Sequence, residues 1–139
     1  MAVVRATQVR LELLERWITG ASEVELSRGG EAYLLDVIGE TGADSLENAL
    51  TYYVESEQLY EMTTDDDVLG FASLSGEIIT TLYVAPEYRR RGVARSLLEE
   101  LFQLEEPPCD AWVLPGDRAT KSLYENVGWK ARLLTMGDE

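Results

Sequence analysis

The stretch LYVAPEYRRRGVARSLL, residues 82–98, combines the end of a strand, a tight loop and the start of a helix in one continuous piece. The β-branched and aromatic run at residues 78–84 predicts a central strand, which Pro86 closes. Beyond the loop, apolar residues recur at helical spacing from residue 93 to residue 104, and Pro107 stops the helix. The rest of the chain is organised around this strand, loop and helix.

The loop concentrates positive charge, since four of the chain's twelve basic residues fall within seven positions: Arg89, Arg90, Arg91 and Arg95. The first turn of a helix leaves backbone N–H groups unpaired and carries the positive end of the helix dipole. Gly92 and Ala94 have little or no side chain, so a ligand can approach the backbone there. The pattern favours a phosphate-rich anion, with a solvated arginine face as the alternative.

Two common phosphate loops are excluded, because neither G-x-x-x-x-G-K-S/T nor G-x-G-x-x-G is present. The segment Arg89-x-x-Gly92-x-Ala94 instead resembles the acyl-CoA signature R/Q-x-x-G-x-G/A of the GNAT superfamily of N-acyltransferases. A second segment, DRATKSLYENVGW at residues 117–129, resembles the second GNAT signature, N-x-x-A-x-x-L-Y-E-x-x-G-F. It departs from that signature at three positions, which hold Asp117, Thr120 and Trp129.

This resemblance implies an α/β domain with a mixed, mainly antiparallel sheet flanked by helices, and an acyl-CoA cleft between splayed central strands. It implies transfer of the acetyl group of acetyl-CoA to an amine acceptor by direct attack. Tyr124 matches the tyrosine that donates a proton to the departing thiolate, which a phenol can do. The cofactor-binding residues that the resemblance implies are Leu82, Tyr83, Val84, Arg89, Arg90, Arg91, Gly92, Val93, Ala94, Arg95 and Ser96.

The general base is left open by the sequence, because the chain has no histidine. Glu77 is a candidate, since some GNAT enzymes use a glutamate on the central strand, but a hairpin-turn charge is the alternative interpretation. A tyrosine or water could also serve. With no histidine and a single cysteine, Cys109, the sequence excludes Ser-His and Cys-His nucleophiles and every histidine-containing metal site, and we predict no metal.

The composition limits the partners. A length of 139 residues suits one domain spanning residues 1–139. A formal net charge of -14 argues against nucleic-acid binding and would attract cationic partners, although it also serves solubility. No apolar run is long enough to span a bilayer and no signal-peptide core is seen, so we expect no membrane association and a cytoplasmic protein.

The remaining elements follow from local patterns. A first strand is expected at residues 2–6, and a helix capped by Thr7 is expected to end at Gly20. A second helix should follow the break at residues 27–30, and a third should begin with an Asp44–Glu47 capping box. Further expectations are a hairpin at residues 58–74, a strand at 109–114, a helix at 120–127 capped by Asp117, and a final strand at 130–136. With only one strand after the last helix, one sheet edge would be open or completed by a second subunit in a homodimer.

Two other classes of function compete with catalysis. One is a non-catalytic acyl-CoA sensor or interaction module that uses the same cleft. The other is a structural protein whose arginine loop meets the acidic surface of a partner. If the chain is an enzyme, the acceptor could be a small cationic amine, an antibiotic, an amino acid, or a protein N-terminus or lysine.

Overall fold

The computed structural model describes residues 1–28, 30–113, 117–133 and 136. Its sheet has five strands in the order β1-β2-β3-β4-β5; the first four are antiparallel neighbours, and β5 runs parallel to β4. The strands are β1 (Ala2–Arg5), β2 (Leu59–Thr63), β3 (Val68–Ser75), β4 (Ile78–Val84) and β5 (Asp110–Ala111). The helices are α1 (Leu11–Arg28), α2 (Gly30–Thr41), α3 (Leu46–Glu55), α4 (Val93–Phe102) and α5 (Arg118–Asn126).

The sheet separates two hydrophobic cores, because successive side chains of a strand point to opposite faces. One core joins the sheet to α1, α2 and α3 through residues such as Trp17, Val37 and Tyr53. The other joins it to α4 and α5, where the fully buried Leu97 and Leu101 each stabilise the fold by about 1.5–3 kcal/mol. The predicted mixed, mainly antiparallel sheet flanked by helices is confirmed.

Strand β4 departs from regular pairing on both of its sides. Against β3 the register shifts between Ser73 and Leu74, which pair with Thr81 and Ile79, so that Thr80 is an extra residue without a partner in β3. Against β5 only Ile78 and Ile79 are paired. Within the described residues, the edge of β4 from Thr80 onward has no partner strand, so the two parallel strands are joined at one end only.

Several predicted boundaries were wrong. The first helix does not end at Gly20 but continues to Arg28, since an interior glycine costs only about 1 kcal/mol and the following residues are mostly good helix formers. The break predicted at residues 27–30 was wrong for residues 27, 28 and 30, which belong to α1 and α2, and residue 29 lies outside the described residues. The third helix is capped by Ser45 rather than Asp44, because the Ser45 hydroxyl accepts from the amide of Asn48 at 3.1 Å.

The last part of the sheet is smaller than predicted. The strand expected at 109–114 is two residues long, with residue 114 outside the described ranges. The strand expected at 130–136 was wrong for residues 130–133, which are not in a strand; residues 134 and 135 lie outside the described part of the chain. So short a β5 offers few backbone groups for a further strand. No helix in the described ranges is long and apolar enough to cross a membrane.

Candidate functional site

The open edge of β4 exposes selected peptide groups. In an antiparallel ladder, residues alternate between hydrogen-bonded and non-hydrogen-bonded pairs. The Ala85 amide donates to the carbonyl of Leu69 at 3.0 Å, and this bond sets the phase of that alternation. Tyr83 therefore points its backbone groups at β3, whereas Leu82 and Val84 point theirs at the open edge.

Three carbonyl groups along this edge already accept a hydrogen bond, each from a different source. The carbonyl of Ile79 accepts from the backbone amide of Trp112 at 3.0 Å. The carbonyl of Thr80 accepts from the hydroxyl of Tyr33 at 2.7 Å, and that of Val84 from Nε of Arg89 at 2.9 Å. Between the last two lies Leu82, whose amide and carbonyl have no recorded partner among the described residues. The middle of the edge is thus suited to an extended ligand carrying amide groups.

The loop before α4 presents backbone donors. Gly92 is the N-cap, with a φ of +76° and no side-chain cap, and the first bond within the helix runs from the Ser96 amide to the Gly92 carbonyl at 2.9 Å. The N–H groups of residues 93–95 therefore lack a partner within the helix. Arg90 is also held at a positive φ, +63°. Successive amides in such a turn form a concave site for an anion at the positive end of the helix dipole.

The arginines of the loop are not equivalent. Arg89 is fixed, because its Nε bonds the β4 edge and its guanidinium lies 5.7 Å from the ring centre of Tyr83. Arg95 forms only an exposed pair with Glu99 at 3.3 Å, a contact type worth about 0–1 kcal/mol. Arg90 and Arg91 are exposed. The loop thus combines one structural guanidinium with three that could turn toward an anion at low cost.

Tyr124 on α5 is buried, and its hydroxyl is a buried polar atom with no hydrogen-bond partner among the described residues. Its ring stacks on Trp129 with centroids 5.4 Å apart. Burial, and then the negative charge of Asp117, raise the pKa of Tyr124 above its ordinary value. The phenol therefore stays protonated at neutral pH, and leaving it unpaired costs about 1–3 kcal/mol. Such a group is ready to donate to a ligand.

Glu77 lies at the opposite end of β4, in the turn that joins it to β3. Its carbonyl accepts from the amides of Cys109 and Asp110, and its exposed carboxylate accepts from the Cys109 thiol at 3.4 Å. The strands are paired there, so the structure does not bring Glu77 to the open edge. The Gly92 loop and the open peptide groups of β4, by contrast, lie along one side of the sheet.

Sequence reasoning missed Tyr33, which stands 47 positions before its partner Thr80. It also missed a buried hydroxyl cluster at the extra residue of β4. In this cluster, the Ser73 hydroxyl lies 2.8 Å from that of Thr80 and 2.6 Å from that of Thr81, and Thr80 bonds Tyr53 at 3.0 Å. The only signal in the sequence was the run of two threonines inside an otherwise apolar strand.

An amide-lined anion loop, an edge of peptide groups without a partner strand among the described residues, and a buried proton donor are features that suit an elongated anionic ligand. The family model described as "Acetyltransferase (GNAT) domain" matches residues 48–131, more than half of the chain. The chain belongs to the GNAT family of acetyltransferases. This confirms the resemblance that the two motifs suggested. No curated protein matches the sequence.

Solved structures share the fold over nearly the whole chain. A GNAT-family acetyltransferase from Bacillus cereus ATCC 10987 superposes with a TM-score of 0.64 at 17% identity, covering 99% of this chain and 89% of its own. AAC(6')-Iy in complex with the bisubstrate analogue CoA-S-monomethyl-acetylneamine gives 0.54 at 15%, covering 99% and 97%. An aminoglycoside acetyltransferase from an uncultured soil metagenomic sample gives 0.55 at 17%, covering 100% and 99%. At these identities, the likeness shows the fold.

Proposed function

We propose that this protein is an N-acetyltransferase that moves the acetyl group of acetyl-CoA to an amine acceptor. The observation that carries the proposal is the buried hydroxyl of Tyr124, which has no hydrogen-bond partner in the described part of the chain. Tyr124 packs in the same hydrophobic core as Val84 of β4, and the hydroxyl of Tyr33 lies on the edge of that strand at Thr80. A proton donor is thus kept close to a row of peptide groups that can orient a substrate.

The residues present fit acetyl-CoA. The amides of residues 93–95 and the exposed arginines of the loop would hold the pyrophosphate. The amide and carbonyl of Leu82 face the open edge, where the described residues provide no partner, and they would pair with the amides of the pantetheine arm as a neighbouring strand would. The backbone of Tyr83 is bonded to β3, so its part in binding would be limited to its side-chain contact with Arg89.

Acetyl-CoA would supply an activated acyl group as a thioester, which an amine attacks directly. The charge that develops on the departing sulfur needs a donor in a partly dry site, and Tyr124 would provide the hydrogen bond and the proton. Burial raises the pKa of a thiol as well as that of a phenol, so the transfer is better matched than the ordinary pKa values suggest. The amine must also lose a proton, and water would accept it, because Glu77 lies in the turn at the paired end of β4.

A cationic amine is the acceptor class that we favour. The net charge of -14 raises the local concentration of cations near the surface. Aminoglycosides, which the name of one structural relative mentions, are polycationic amines of this kind. Lysine side chains and small polyamines share the same chemistry, so the proposal extends to the class.

Calorimetric titration with acetyl-CoA, followed by thiol release with a panel of amines, tests the proposal. Tyr124→Phe should bind acetyl-CoA normally and turn over about 10²- to 10⁴-fold more slowly. Gly92→Glu should lose binding, because it places a carboxylate in the anion loop at a positive φ. Tyr52→Phe, at a tyrosine 48% exposed on α3, is the matched control and should change neither quantity.

Each outcome separates the alternatives. Binding without turnover of any amine, with Tyr124→Phe unchanged, would indicate an acyl-CoA sensor. A folded protein with no affinity for acetyl-CoA would contradict the proposal. An undiminished rate in Tyr124→Phe would remove the acid role while leaving the cleft assignment intact.

A further inference from the structure

Tyr33 on α2 closes one end of the open β4 edge. Up to Ile79 the donors to this edge come from the backbone around β5, the last of them the amide of Trp112. At Thr80 the donor changes to the hydroxyl of Tyr33, at 2.7 Å, a side chain from a helix on the α1–α3 face of the sheet. Tyr33 thus lies at the point where the open part of the edge begins.

The open edge has a definite length. At about 3.3 Å per residue, Thr80 and Val84 are about 13 Å apart, with Leu82 midway. Beyond Val84 the chain turns at Pro86–Tyr88 and reaches the amide-lined loop at Gly92. A ligand with its anionic end in that loop and its amides on Leu82 therefore has its other end directed at Tyr33.

The ring of Tyr33 is held from several sides. It meets Trp17 edge-to-face with centroids 6.2 Å apart, and Trp17 meets Phe71 in the same way at 5.7 Å. Its hydroxyl is anchored on Thr80. Burial raises the pKa of Tyr33, so the phenol stays protonated and keeps donating to the carbonyl of Thr80. A side chain held in this way forms a rigid wall at this end of the open edge and does not move aside for a ligand.

We propose that the ring of Tyr33 limits the length of the acyl group that the cleft accepts, and that it selects the two-carbon acetyl group over longer chains. This inference rests on the proposed function, since it concerns the far end of the same cleft. Methylene groups beyond the second carbon would meet the ring, and making room for them would require breaking its bond to Thr80 and its packing on Trp17.

The test measures affinity rather than turnover and needs no acceptor. Acetyl-CoA, butanoyl-CoA and hexanoyl-CoA are titrated calorimetrically into the wild type, Tyr33→Ala, Tyr33→Phe and Leu35→Ala. The wild type should bind the longer acyl-CoAs more weakly than acetyl-CoA. In Tyr33→Ala each added methylene enters an apolar space and gains about fourfold, so the ratio of butanoyl-CoA to acetyl-CoA affinity should rise from below one in the wild type to about 15.

Two variants serve as controls. Tyr33→Phe keeps the ring and removes only the hydroxyl, so it should keep the wild-type order of affinities. Leu35→Ala removes a side chain of the same helix that is 57% exposed, and it should leave the affinities unchanged. If Tyr33→Ala does not fold, Tyr33→Leu keeps apolar bulk but lacks the far side of the ring, and it should raise the butanoyl-CoA ratio to a smaller extent.

The outcomes are distinguishable. An unchanged ratio in both Tyr33→Ala and Tyr33→Leu, or a wild type that binds hexanoyl-CoA as tightly as acetyl-CoA, would overturn the inference while leaving acyl-CoA binding intact. Relaxed selectivity in Tyr33→Phe equal to that of Tyr33→Ala would also overturn it, because the ring would then not be the wall. A folded wild type that binds none of the three ligands would overturn the proposed function and this inference together.

Discussion

Gly70→Ala is expected to disturb both the stability of the sheet and the cleft, because Gly70 lies opposite Val84 in the β3–β4 pair. A Cβ atom at residue 70 would clash with the carbonyl oxygen of Tyr83 and come within 3.1 Å of Cα of Val84. Both contacts are with backbone, so no rotamer change relieves them. The strands would have to separate at the residues that carry the open edge.

The magnitude follows from two opposing effects. Overpacking in a close-packed interior typically costs about 1–3 kcal/mol. Replacing glycine returns about 0.5–1 kcal/mol, because the unfolded chain loses freedom. The difference spans about 0–2.5 kcal/mol, and because both close contacts are with backbone we expect a net destabilisation of about 1–2 kcal/mol. With an unfolding entropy of about 2.1 cal/mol/K per residue over 139 residues, each kcal/mol lowers the melting temperature by about 3.4 °C, which gives a decrease of about 3–7 °C.

Thermal unfolding followed by circular dichroism measures the stability, and calorimetric titration measures acetyl-CoA affinity. Loss of one backbone hydrogen bond at the shifted edge should weaken binding by up to about tenfold. The control is Gly39→Ala in α2, where a new Cβ meets no atom within 4 Å and better helix propensity should raise the melting temperature by about 2–3 °C. A Gly70→Ala melting temperature within about 1 °C of wild type would refute the reasoning, since β4 would then accommodate the added Cβ atom without loss of stability.

Two further predictions concern ionisable groups. Burial, the larger effect, raises the pKa of Glu61, which is 2% exposed, while Arg10 at 3.4 Å lowers it. The folded state therefore holds this proton more tightly than the unfolded chain, and stability is lost as pH rises above about 4.3. Urea unfolding at several pH values should show a smaller loss of stability with pH in Glu61→Gln than in the wild type. Equal slopes of unfolding free energy against pH in the two proteins would contradict this prediction. Asp117→Asn should keep the helix cap on the amide of Thr120 but lower the pKa of Tyr124, though not to its ordinary value. Absorbance titration against Tyr124→Phe measures that shift, and an unchanged titration would show that burial acts alone.

The features that the sequence predicted well are those that depend on residues close together in the chain. The hairpin of β2 and β3, strand β4 and the start of α4 follow from runs of apolar residues between turn residues. The cap of the last helix was also predicted, since Asp117 accepts from the amide three residues later at 3.0 Å. The two motifs identified the family for the same reason, because each lies within one loop and helix.

What the sequence did not predict depends on contacts between distant segments. The bond from Tyr33 to Thr80 joins residues 47 positions apart, and no local pattern marks either of them. For Glu77, a position next to the central strand in the sequence suggested a general base. The pairing of β4 with β5 places this residue at the paired end of β4, away from the open edge. The continuation of α1 past Gly20 shows that one unfavourable residue does not end a helix whose other residues favour it.

The extra residue in β4 connects the fold to the cleft. Ile79 directs its carbonyl to β5, and in a regular strand Thr81 and Tyr83 would be the next residues to direct their backbone groups to that side. The extra residue Thr80 shifts this alternation by one, so that the backbone groups of Leu82 and Val84 face the open edge. The side chain of Tyr83 packs in the core on the α1–α3 face, and that of Val84 packs in the core under α4.

The buried hydroxyls of Ser73, Thr80 and Tyr53 are explained by the same shift. An extra residue leaves polar groups without ladder partners inside the sheet, where an unsatisfied group costs about 1–3 kcal/mol. Ser73 of β3 and Tyr53 of α3 bond the Thr80 hydroxyl at 2.8 and 3.0 Å, so side-chain contacts satisfy the hydroxyl of a residue that has no backbone pairing partner in β3. These polar contacts therefore stabilise the irregular residue that turns the backbone groups of Leu82 toward the open edge of β4.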